Sequence, residues 1–120
     1  MKLFIDYDFP NWNEYIYIER TNKYKANRLK QEEKELVRFL TFGKKYTGNY
    51  PVEIIFRPHF KDHKRDLDNF RIKGILDGLV ACKVIKNDNL NHIQRIILEP
   101  TFDKKVGVEI EIRELKKEER

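Results

Sequence analysis

The segment His63-Lys64-Arg65-Asp66-Leu67-Asp68 sets two carboxylates two residues apart, directly after three basic or titratable side chains. In an extended segment, side chains at i and i+2 leave the same face, so Asp66 and Asp68 are expected to converge. Carboxylates that close repel one another unless a cation lies between them. An all-oxygen donor set suits a hard ion such as Mg²⁺, which takes one or two carboxylates, waters and a substrate phosphate. A third acid, Asp88, lies in the polar turn IKNDNLNH (85–92) and is expected to fold back toward the same place. A plainer reading stands beside this one. Asp68 or Asn69 would make a good N-cap for the helix that follows, and Asp66 could pair with Arg65.

The surrounding charge favours the first reading. Between Arg57 and Lys73 there are six Lys or Arg against three Asp, with two of the three histidines. Cations that hold a polyanion, next to carboxylates that hold a metal, are what phosphodiester cleavage requires. Lys64 and Arg65 are the expected phosphate contacts, with Lys61, His63 and Arg71 in the same set. The runs KQEEKE and KKEER read instead as solvated faces.

Whole-chain properties agree. A net charge of +5 and a pI near 9.3 favour nucleic acid as partner. No apolar run approaches the roughly 18 residues of a membrane span. The first ten residues, with two Asp, lack the apolar region of a signal peptide. The single cysteine, Cys82, excludes an internal disulfide and a CxxC metal site. A cytoplasmic, nucleoid-associated protein is expected, and 120 residues suit one domain over 1–120.

The elements that must position these residues are legible from periodicity. KLFIDYD (2–8) reads as a strand closed by Pro10. A long helical stretch follows to Leu40, with Ala26, Leu29, Leu36, Val37 and Leu40 near one another on a helical wheel. Asn11 or Asn13 would cap its first piece and Thr21 or Asn22 the second, and Gly43 suits its end. VEIIFRP (52–58) is a strand, with Val52, Ile54 and Phe56 on one face. Residues 69–82 form a helix facing inward through Ile72, Ile75, Leu76 and Leu79. Strands at 93–99 and 106–115 are expected to pair as a hairpin. The order β-α-α-β-α-β-β gives an α+β fold with a small mixed sheet and helices packed on it.

The segment DLDNFRIKGILDGLVACKVIKNDN (66–89) resembles the RusA family of Holliday-junction resolvases. It carries D-L-D-N, a lysine, I-L-D-x-L and V-I-x-N-D in order, and NEYIYIERTNKYKANRLKQE upstream is similar to phage-type members. The resemblance implies an endonuclease dependent on Mg²⁺, with Mn²⁺ as a substitute. It implies a homodimer acting on four-way or other branched DNA, making paired nicks that can be religated, in recombination and repair. It assigns Asp66, Asp68 and Asp88 to the metal and Lys73 to cleavage. Asp77 matches a further family carboxylate. Position 87 is Asn, which leaves Asp88 as the acid of its element.

Several of these residues also have other readings. Lys73 could simply pair with Asp77 at i, i+4. His59 and His63 could suggest zinc with Asp66 or Asp68, but PHFKDHKR does not read as the helix that such spacing needs. Trp12, Tyr15 and Tyr17 are base-stacking or else core and dimer residues. Cys82 reads as packing. A non-catalytic basic DNA- or RNA-binding module is the alternative to a nuclease. A D-x-D glycosyltransferase would need a nucleotide-sugar domain for which 120 residues leave no room.

Overall fold

The structure, a computed structural model, describes residues 1–119. Its elements are β1 (Lys2–Ile5), α1 (Trp12–Thr21), α2 (Lys23–Leu40), β2 (Val52–Phe60), α3 (Ile72–Ala81), β3 (Ile93–Leu98), β4 (Thr101–Phe102) and β5 (Gly107–Glu114). Short 3₁₀ turns cover Leu67–Asn69 and Lys117–Glu119. Of the tail KKEER, expected to be a solvated face, Lys116 to Glu118 are exposed, and Arg120 lies outside the described residues. The expected α+β class and element order hold, with the two-residue β4 added.

Two asparagines divide the long helical stretch. Asn11 Oδ1 accepts the Glu14 N–H at 2.9 Å and Asn22 Oδ1 accepts the Lys25 N–H at 3.1 Å. Each satisfies an orphan donor at a helix start, so α1 and α2 begin where a side-chain amide is available. Gly43, at φ +77°, turns the chain after α2 in a conformation that L side chains seldom adopt.

The sheet runs β1-β5-β2-β3, with β4 paired to the end of β2. Strand β5 is antiparallel to both β1 and β2, whereas β3 and β4 are parallel to β2. The expected hairpin between β3 and β5 therefore does not form, because β2 lies between them. All five residues from Val52 to Phe56 are buried. A strand buried on both faces belongs at the centre, with a partner on each edge. Helix α3 carries the chain back along β2, so β3 starts beside the start of β2 and runs parallel to it. Pro100, without an N–H, separates β3 from β4.

Ile75 and Leu79 of α3 are fully buried against the sheet, as their spacing predicts. Helix α2 covers α3 closely at Gly78, where a Cβ would come within 2.8 Å of Val37 Cβ. The same face of α2 buries Glu33, at 1% exposure. This corrects the reading of KQEEKE as a wholly solvated run, and the cause is an arginine on α3's side of the contact. On the opposite sheet face, Arg57 bonds Glu109 and Glu111 at 2.9 Å each and Glu99 at 3.3 Å. This network neutralises a central strand's arginine within the sheet.

Candidate active site

The D-L-D-N segment stands just beyond the C-terminal end of β2. Asp66 has extended backbone (φ −89°, ψ 131°) and the chain then tightens into the 3₁₀ turn Leu67–Asn69. The turn closes through Asn69 N–H to Asp66 O at 3.2 Å and Phe70 N–H to Leu67 O at 3.1 Å. Asp66 and Asp68 are thus not related by strand alternation, as an extended segment would have made them. Nor does Asp68 or Asn69 cap α3, whose N-cap position is Arg71. Asn69 serves α1 instead, accepting the Asn13 N–H at 3.1 Å and pinning the turn to that helix. Arg65 pairs with Asp8, not Asp66, at 3.2 Å. Asp66 and Asp68 are both exposed. Among the described residues neither carboxylate has a hydrogen-bonding or ionic partner in the protein.

Arg71 sets the start of α3. It is buried, at 3% exposure, and forms an ion pair with Glu33 of α2. Its Nε donates to Pro10 O at 3.2 Å, and its guanidinium lies 4.5 Å from the Tyr15 ring centroid. The sequence sets Arg71 among the phosphate contacts, and its burial corrects that expectation. A charge this deep requires a counter-ion, and Glu33 supplies it, so Arg71 joins α1, α2 and α3 and does not reach solvent. Gly74 makes room for the pair, since a Cβ there would meet Arg71 Nη1 at 2.8 Å and Glu33 Oε1 at 2.9 Å.

Two residues beyond Arg71, Lys73 projects to solvent. Its Nζ is 3.6 Å from Asp77 Oδ1, the i, i+4 contact that the spacing allows. Both residues line a cavity of about 230 Å³ between the three helices, walled by Trp12 and Tyr15. Glu33 Oε1, buried and without a hydrogen-bond partner, also faces it. Glu33 is the site-forming residue that sequence reasoning missed. Its signal was its place three residues before Leu36 and four before Val37, on the buried side of α2.

The 61–65 loop carries the other expected DNA contacts. Lys61, His63, Lys64 and Arg65 are all exposed. The His63 ring stacks on Phe102 at 4.0 Å and 17°. Lys64 N–H donates to Asp62 Oδ1 at 3.0 Å. The Arg65 guanidinium lies over Phe60 at 5.7 Å, and its bond to Asp8 keeps it firmly protonated.

Asp88 is elsewhere. The turn that holds it leads into β3 at the end of the sheet where β2 begins, and Val52 N–H donates to His92 O at 2.7 Å. Asp66 lies past the other end of β2, whose nine residues at about 3.3 Å each separate the two ends by roughly 26 Å. The fold therefore does not bring Asp88 back to Asp66 and Asp68 within one chain. Among the described residues no group of three or more His, Cys, Asp or Glu is placed to hold a metal ion. Asp88 is exposed, and its backbone N–H is held by Asn87 Oδ1 at 2.7 Å. Its carboxylate, like those of Asp66 and Asp68, takes no protein partner among the described residues.

The remaining candidates resolve simply. His59 lies in β2 with Nδ1 2.8 Å from Asp103 Oδ1, apart from any zinc-like set. Burial, the largest influence, raises the Cys82 thiol pKa and makes a reactive thiolate unfavourable. Tyr15 is a core residue, and Tyr17 is 69% exposed.

A mixed five-stranded sheet under three helices, with unpaired carboxylates next to a cationic loop, defines a small α+β protein built to act on a polyanion. A family model described as endodeoxyribonuclease RusA matches residues 8–113, and the chain belongs to that family. It is a nuclease acting on Holliday junctions, which makes branched DNA its substrate. Nucleases of this kind generally depend on a divalent metal. No curated protein matches the chain. No helix among the described residues is long and apolar enough to cross a membrane.

Proposed function

We propose that the chain, as one nuclease domain over 1–120, resolves Holliday junctions by paired symmetric nicks, using Mg²⁺ or in its place Mn²⁺. In this reading the working unit is a two-fold homodimer. Asp66 and Asp68 of one chain and Asp88 of the other hold the ion, so that each site is completed across the dyad. The carrying observation is the pair of carboxylate groups at opposite ends of β2, exposed and without protein partners. One chain does not join them, whereas a two-fold axis exchanges the ends and builds two equivalent sites. The all-oxygen donor set fits a hard divalent cation.

When bound, such an ion supplies Lewis acidity toward the scissile phosphate and a more acidic attacking water. The chain's own residues do the rest. Lys61, His63, Lys64 and Arg65 hold the phosphates on either side of the scissile one. The ammonium of Lys73 offsets negative charge that develops on the phosphoryl oxygens. Asp77 keeps that ammonium on one side of α3, and the Arg71–Glu33 pair fixes the helix start from which Lys73 projects. The test is cutting of a synthetic four-way junction with Mg²⁺, with Mn²⁺ and with chelator. Symmetric paired nicks that require the metal are expected, and wild-type cutting in chelator would overturn the reading.

A further inference from the structure

Resting on the junction-nuclease reading, we propose that the cleft between the 61–65 loop and the β4–β5 loop grips the sugar–phosphate backbone of one junction arm, with Lys104 and Lys105 as its second wall. The cleft has a volume of about 480 Å³. Lys61, Lys64 and Arg65 line one side, and Lys104 and Lys105, some forty residues later in the chain, line the other. Against these five cations it contains two carboxylates, Asp8 and Asp62. Asp8 is paired with the Arg65 guanidinium and Asp62 accepts only the Lys64 backbone N–H, so five cations against two carboxylates leave three positive charges in excess. None of the four lysines has a carboxylate partner among the described residues, whereas Arg57, Arg71 and Lys73 are all paired. Excess positive charge left unneutralised inside a cleft calls for an anionic ligand with charges repeated along its length.

Both walls are held in place before any ligand arrives. Asp103 Oδ1 meets His59 Nδ1 at 2.8 Å and accepts the Lys105 N–H at 3.0 Å, while Asp103 N–H donates to Phe60 O at 3.0 Å. The β4–β5 loop is therefore strapped to β2. On the other side, His63 is stacked on Phe102 and Arg65 lies over Phe60. Loops already ordered lose less entropy on binding, which favours a specific phosphate track over diffuse attraction. The track also has a direction. Lys64 and Arg65 are shared with a neighbouring cleft that Asp66 and Asn69 line. A strand laid between the two walls thus runs on toward the carboxylates that the nuclease reading assigns to the metal. His59 and Asp103 act as positioning residues for this track.

The experiment is the exposed double substitution Lys104→Ala/Lys105→Ala, read by junction binding across a salt series in chelator. The log–log salt slope should flatten by about one to two, near 0.9 for each phosphate that is no longer neutralised. Junctions with neutral methylphosphonates at successive positions then locate the phosphates that the cleft holds. The wild type should lose affinity over a short run beside the cut, and the double variant, which keeps only the Lys61, Lys64 and Arg65 wall, should lose less over the same run. An unchanged slope, or a variant as sensitive as the wild type to the same neutral positions, overturns the proposal. Wild-type cutting in Mg²⁺ is read in parallel. Failure of the nuclease reading shows as binding without cutting, and failure of the cleft shows as an unchanged slope.

Discussion

Asp68→Asn and Asp88→Asn chains, each inactive alone, should regain nicking when mixed. Two carboxylates sharing one Mg²⁺, with oxygens at about 2.1 Å from it, bring those oxygens within roughly 4 Å of each other. Within one chain the two ends of β2 stand roughly 26 Å apart, several times too far. In a two-fold dimer of one Asp68→Asn chain and one Asp88→Asn chain, one site receives both substitutions. The other receives none. Random reassociation makes about half the dimers mixed, each with one intact site of two, so about a quarter of wild-type sites survive. The mixture should therefore nick a four-way junction on one strand, at about a quarter of the wild-type site concentration, and make no paired cuts. The assay is strand-specific labelling of the junction after denaturing, mixing and refolding the chains, with two affinity tags to confirm that mixed dimers formed. If tagged mixed dimers are present and no nick appears, each site is built from one chain alone and the cross-dyad argument is refuted. Light scattering should report about twice the 14.6 kDa chain mass.

Further expectations follow from single residues. Asp66→Asn, Asp68→Asn and Asp88→Asn should each abolish cutting and leave junction binding equal or tighter, by gel shift in chelator. Lys73→Ala should cost on the order of 10²-fold in cleavage rate, measured under single-turnover conditions. Arg71→Met alone should destabilise the fold by about 3–5 kcal/mol, because Glu33 is left charged and buried; urea unfolding should show Glu33→Leu/Arg71→Met recovering most of it. The His59 hydrogen bond holds the Asp103 carboxyl below its ordinary value, and Arg57 does the same for Glu111. Depressed carboxyl pKa values contribute stability above the unfolded values of 3.8 and 4.5 that is lost as pH falls through the folded ones. Acid unfolding of Asp103→Asn should accordingly show a shallower pH dependence below about pH 4, and an unchanged profile would count against the strap.

Periodicity and capping residues determined much of this protein. Ile72, Ile75, Leu76 and Leu79 specified α3, the capping candidates Asn11 or Asn13 and Thr21 or Asn22 bracketed where α1 and α2 begin, and alternation specified β5. These signals are local, since each depends on a few residues and their neighbours in the chain. The motif of acids and Lys73 was equally legible as a pattern of residue types. Tertiary structure decided what sequence spacing does not encode. The burial of β2 on both faces placed it between β3 and β5, which removed the expected hairpin. The α3 crossover then sent Asp88 to the end of the sheet away from Asp66 and Asp68, although the motif sets them close in the chain. Arg71 and Glu33 each looked like surface charge and became a buried pair only because two helices meet at Gly74. Lys104 and Lys105 joined the cations of the 61–65 loop only when β4 aligned with the end of β2. Proximity between residues forty positions apart depends on how whole elements pack, and no local pattern of residue types carries that information.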